Sequence, residues 1–160
     1  MSKIIDFFKK LNFLKNDSVP HPPNSPLYPG DLCVDNVKNI FSGCSDFKTS
    51  KIYAGNDKRL PVYIFFFDGL VDPSAVAKEI IAPLSNKKSF FGLTPSLALK
   101  KAEEGGVYRL PFNKTFSLDS AAENILNGFC GVLFGSTKTL LAFDIKSAAV
   151  RNVEKPSEEK

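Results

Sequence analysis

With 43% hydrophobic residues among 160, the chain suits one soluble domain that buries a real core. Its 21 basic and 17 acidic residues leave a formal charge of +4, too slight an excess to imply nucleic acid where no basic block interleaves with aromatics. Cys33, Cys44 and Cys130 are widely separated and odd in number, which supports neither a disulfide framework nor a zinc site.

In chain order, residues 1–15 place Ile4, Ile5, Phe7, Phe8, Leu11 and Leu14 on one apolar stripe edged by lysines, the pattern of an amphipathic helix. Asp6, Lys9 and Lys10 interrupt any apolar core of signal-peptide length, so the chain is expected to start in the cytoplasm. Whether Phe8 and Leu11 cover their own domain, dock on a partner or lie on a membrane surface is not chosen by period alone. Residues 16–30 form a Pro-rich linker; five prolines surround His21, the one histidine, and exclude regular structure there.

Residues 31–153 read as a single α/β subdomain. Asp31 is placed to cap a short helix carrying Leu32, Val34, Val37, Ile40 and Phe41 and ended by Gly43. An extended segment at 46–54 then turns through residues 55–59 into the apolar run 62–67, and the two are expected as antiparallel neighbours. That run is too short for a membrane span and too uniformly apolar for a strand with one wet face, so it reads as a strand buried on both sides. Asp72 caps the helix that follows, with Pro73 at its first position and Val76, Ile80, Ile81 and Leu84 on its apolar face.

A second helix is expected from Thr94 to about Glu104, ended by Gly105, and a short extended segment over 107–112. Ser117 caps a further helix, with Leu118, Ala121, Ala122, Ile125 and Leu126 on one face. The runs 131–134 and 139–145 have the pattern of a hairpin, residues 150–153 extend the sheet, and 154–160 form a disordered tail. The expected architecture is a mixed β-sheet with packed helices.

Chemistry finds little to draw on. No GxGxxG, GxxxxGK or GxSxG occurs, and Glu103-Glu104 and Glu158-Glu159 read as solvated charge runs. No enzyme activity, catalytic residue, cofactor or metal is expected. The candidate ligand-binding residues are Asp68, Gly69 and Asp72, because a turn at the carboxyl end of a strand is where open α/β sheets bind polar molecules. The same residues also serve a plain turn and a helix cap, and the two readings stay open.

Phe66-Phe67-Asp68-Gly69-Leu70-Val71-Asp72, followed by Ile80-Ile81-Ala82-Pro83-Leu84, resembles the "YxDGLVD … I(I/L)xPL" element of the A subunits of spore germinant receptors, the GerA family. Ser45-Asp46, Ile125-Leu126-Asn127-Gly128 and residues 151–159, which read RNVEKPSEE against the family's "RxVExPxxE", resemble further elements at family spacing. Phe129 stands where the family often carries Asp, and Gly135-Ser136 where its hairpin carries Asp-Gly.

The resemblance implies a non-catalytic N-terminal subdomain of a receptor A subunit, acting in receptor assembly or signal transmission, with small-ligand binding (amino acid, sugar or cation) as the alternative. It further implies a missing second subdomain and missing membrane helices beyond Lys160, partner B and C subunits, and the spore inner membrane with this domain on the cytoplasmic, spore-core side. The partner-interface candidates are Phe8 and Leu11 in the stripe and Arg151, Glu154, Pro156 and Glu159 in the tail.

Overall fold

The computed structural model describes residues 25–105 and 107–145. Among the described residues the helices and strands follow in the order α1 (Val34–Ile40), β1 (Phe47–Tyr53), β2 (Pro61–Phe67), α2, α3 (Lys87–Phe90), α4 (Pro95–Glu103), β3 (Phe112–Thr115), α5 (Leu118–Leu126), β4 (Cys130–Phe134) and β5 (Leu140–Phe143). Helix α2 opens at Pro73–Ala75, passes through a π-helical stretch Val76–Ile81 and closes at Ala82–Leu84. Pro83 has no N–H and in an α-helix would crowd the carbonyl four residues back, a conflict the wider π turns before it relieve. The Ala82 amide accordingly donates to Ala77 O, five residues back.

The sheet order is β1-β2-β4-β5-β3, and each of its four pairings is antiparallel. Helices cover both faces, so the expected sheet with packed helices is present as three layers. That is why β2 is apolar without alternation: Val62, Ile64 and Phe66 enter one core, while Phe65 and Phe67 enter the other. The first core packs under α2, α3 and α4 through Val76, Ile80, Leu84, Phe90, Ala98 and Ala102. The second packs under α1 and α5 through Val37, Phe41, Leu118, Ala121 and Ile125.

Aromatic rings supply much of the second core. Phe41 meets Phe67 edge-on at 5.2 Å between centroids, and Phe47 stacks on Phe65 at 6.1 Å. Each such ring removed from water is worth about 1.5–3 kcal/mol, with roughly 1 kcal/mol more from the ring pairing. Gly131 of β4 leaves room on this face, since a Cβ there would meet the Leu140 side chain at 3.1 Å.

Most expected elements stand where the sequence puts them, including the antiparallel pairing of β1 with β2 and the β4–β5 hairpin. Asp31 does not cap α1. The N-cap is Cys33, which has no side-chain cap bond, and the helix stops at Ile40, short of Gly43. Leu32 is only 2% exposed, and seating it in the core starts the helix past the reach of Asp31. The Asp31 carboxylate instead takes Lys138 Nζ at 2.8 Å, and its carbonyl accepts from Asn36 Nδ2.

The extended segment expected over 107–112 is also displaced, with the strand at Phe112–Thr115. Pro111 has no N–H for the ladder. Tyr108 is instead pinned in the core, donating to Ile80 O at 3.0 Å. The stripe carrying Phe8 and Leu11, residues 150–153 and the tail with Arg151, Glu154, Pro156 and Glu159 lie outside the described residues.

Candidate functional site

Strand β2 ends where the candidate ligand residues begin. The Asp68 N–H donates to Asp46 O at 2.8 Å, the last rung tying the chain to the neighbouring strand. Gly69 then takes φ +93°, a conformation glycine adopts freely, and the Leu70 and Val71 amides both return to Phe67 O at 3.2 and 3.1 Å. Val71 is fully buried and pegs the turn to the core.

Asp72 closes the corner as the cap of α2. Its carboxylate accepts the Ser74 amide at 2.9 Å and the Ser74 hydroxyl at 2.7 Å. The hydroxyl first, then the amide, hold the Asp72 carboxyl below its ordinary range. Asp68, Gly69 and Asp72 are thus brought to one exposed corner. The oxygens of Asp72 are engaged within the turn, and among the described residues no group of three His, Cys, Asp or Glu is placed to hold a metal. The strand-end rule that singled out this corner belongs to parallel sheets, where neighbouring strands end together beside a crevice. Here the partners of β2 run the other way.

The opposite end of β2, about 20 Å away along the strand, carries a feature with no local sequence signal. Asp57, 5% exposed, accepts the Arg59 amide and Nε through Oδ1, both at 3.0 Å. Its Oδ2 accepts Arg59 at 2.9 Å and the Gly92 amide at 3.1 Å. The Arg59 side chain, with these amides, drives the Asp57 carboxyl far below the usual carboxylate range. Beside this latch lies a shallow groove of about 510 Å³ lined by Lys38, Arg59, Tyr63, Pro95 and Ser136 among others.

The matching region covers most of the chain: residues 35–160 fit the model of the Bacillus/Clostridium GerA spore germination protein. The chain belongs to the GerA spore germination family. The family-like motifs at 66–72, 80–84, 125–128 and 151–159 all fall inside that region. The fold of this GerA-family chain is similar to a crystal structure of the N-terminal domain of the A subunit of the Bacillus megaterium spore germinant receptor GerK3. The TM-score is 0.50 at 16% identity, over 68% of this chain and 42% of that one. The chain thus matches less than half the length of the crystallised relative. No curated protein matches it in sequence.

In this family member the surface also exposes large apolar side chains. Among the described residues Phe116 is 66% exposed, Phe91 61% and Leu97 53%. Phe116 follows edge strand β3, with Lys114 Nζ lying 5.4 Å from its ring centre. No helix of the described residues is long and apolar enough to cross a membrane.

Proposed function

We propose that this chain is the cytoplasmic N-terminal domain of a nutrient germinant receptor A subunit, a non-catalytic part acting in receptor assembly or signal transmission during spore germination. One observation carries the reading: the carboxylate of Asp72, at the GerA-like motif, is engaged in holding its own turn. A motif that serves the scaffold leaves function to the outer surface. On this reading Phe8, Leu11, Arg151, Glu154, Pro156 and Glu159 contact the receptor's B and C subunits or the rest of the A subunit, joined by the exposed Phe116. Membrane attachment belongs to helices elsewhere in the full-length protein, at the spore inner membrane.

The alternative is a small-ligand site for an amino acid, sugar or cation at Asp68, Gly69 and Asp72, and the exposed Asp68 carboxylate is its best support. Thermal unfolding of the chain with and without millimolar amino acids, sugars, nucleosides and monovalent salts separates the two. A site filled at 100 times its dissociation constant adds about 2.7 kcal/mol, several degrees for a domain of this size. A flat panel is expected. A saturable shift that Asp68→Asn abolishes would move the function to this corner.

A further inference from the structure

Residues 87–101 carry Lys87, Lys88, Lys100 and Lys101 and no carboxylate. The same stretch holds Phe91 and Leu97, two of the five large apolar side chains exposed among the described residues. Single exposed apolar residues are ordinary on any surface. Two of them within seven positions, flanked in the chain by lysine pairs on both sides, set this stretch apart.

The backbone beneath them is held by packing and hydrogen bonds. Phe90 is fully buried against Phe134, with ring centres 6.3 Å apart, and anchors α3. The Phe91 amide donates to Lys87 O at 3.0 Å and the Gly92 amide to Asp57 at 3.1 Å. Gly55 lies so close below that a Cβ on it would sit 2.5 Å from Phe91 N. Thr94 caps α4 by accepting the Leu97 amide at 3.3 Å, and Lys100 and Lys101 follow Leu97 by three and four positions, on its side of the helix.

The same latch brings in the turn bearing Lys58, which is exposed, while the nearby acids are occupied: Asp57 by Arg59, and Glu103 by Lys114 at 2.9 Å. Glu104, beyond the helix end, is the exposed acid of this element.

We propose that the α3–α4 corner docks on an anionic lipid surface, with Phe91 and Leu97 entering the headgroup layer and Lys58, Lys87, Lys88, Lys100 and Lys101 facing lipid phosphates. Charge complementarity selects that occupant. Lysines lay their apolar stems along a boundary and put their ammonium groups at headgroup level, and each contributes about one factor of five in affinity to an anionic membrane. The apolar pair stands at the ends of two short helices, a shape suited to entering a soft layer. The docking stands apart from receptor assembly, because vesicle binding is read with no other subunit present.

The test is flotation of the chain with phosphatidylcholine vesicles, with and without phosphatidylglycerol. Binding only to the anionic vesicles is expected, weakening as salt rises past the range where surface charges are screened. Lys87→Gln/Lys88→Gln should lower affinity about 30-fold. Phe91→Ser should lower it as well, whereas Lys48→Gln/Lys51→Gln on edge strand β1 should change it little. All four substituted lysines are exposed, and unchanged thermal unfolding verifies that the variants fold. Absence of binding, binding unchanged by both corner variants but lost in Phe8→Asp, or capture of soluble polyglutamate in preference to anionic vesicles would each overturn the proposal.

Discussion

The Asp57 carboxylate holds the backbone amide of Gly92 at 3.1 Å across 35 positions of chain, fastening the loop after α3 to the turn between β1 and β2. Because Arg59 and backbone amides keep this carboxyl far below its usual range, the folded state binds its proton later than the unfolded chain does. The resulting stability is fully present above about pH 4, the unfolded value, and is lost as pH falls through the depressed folded value. Asp57→Asn should therefore lower the unfolding midpoint by several degrees at neutral pH and flatten the acid limb of stability against pH. Thermal melts across acidic pH measure both.

Gly55 and Gly69 both take positive φ, at +62° and +93°, but their surroundings differ. A Cβ at Gly55 would press on Phe91 N at 2.5 Å and Phe90 C at 2.9 Å, whereas nothing lies within 4 Å of one at Gly69. Gly55→Ala should cost about 3 kcal/mol or more in urea unfolding, with strain and overlap combined. Gly69→Ala should cost only the backbone term, about 1 kcal/mol.

Asp119, in the first turn of α5, accepts the amides of Leu27 and Tyr28 at 2.9 and 2.7 Å. A carboxylate near a helix start also suits the helix dipole. Asp119→Asn weakens this grip and Asp119→Ala removes it, so limited proteolysis should cut the segment around residues 25–30 faster in that order. Cleavage inside the sheet should stay slow at β2, β4 and β5, the central strands, which are buried on both faces.

The three cysteines differ in reach. Cys33 is exposed, Cys44 is buried with its thiol pushed upward chiefly by that burial, and burial pushes the Cys130 thiol up to about 12. A thiol reagent at neutral pH should label Cys33 in the native chain and all three cysteines only after denaturation, as mass spectrometry of the adducts would record. Fast labelling of Cys130 in the native chain would contradict its place in the core.

What was legible in the sequence was local and periodic. Strand β2 announced itself as an unbroken apolar run, and the helix after it through Asp72 and Pro73, because cap and first-turn residues act within three positions of each other. Asp57 gave no such signal: its turn residues read as a turn, and nothing nearby indicates a bond to Gly92. Asp31 misled for a related reason, since a capping residue was present but burial of Leu32 set where α1 begins. At the candidate site, the turn and cap at Asp68, Gly69 and Asp72 were readable from residue types. The groove at the other end of β2 was not, because its lining converges from four separate segments.

Receptor assembly is tested most directly by isolating the tagged full-length protein from solubilised spore membranes and measuring how much B and C subunit comes with it. The comparison is between wild type and Phe8→Asp/Phe116→Asp, with nutrient-triggered germination followed in the same spores. The account predicts that the variant reaches the membrane in normal amount, retains less of its partners and germinates more slowly. Full recovery of both partners together with normal germination would contradict it.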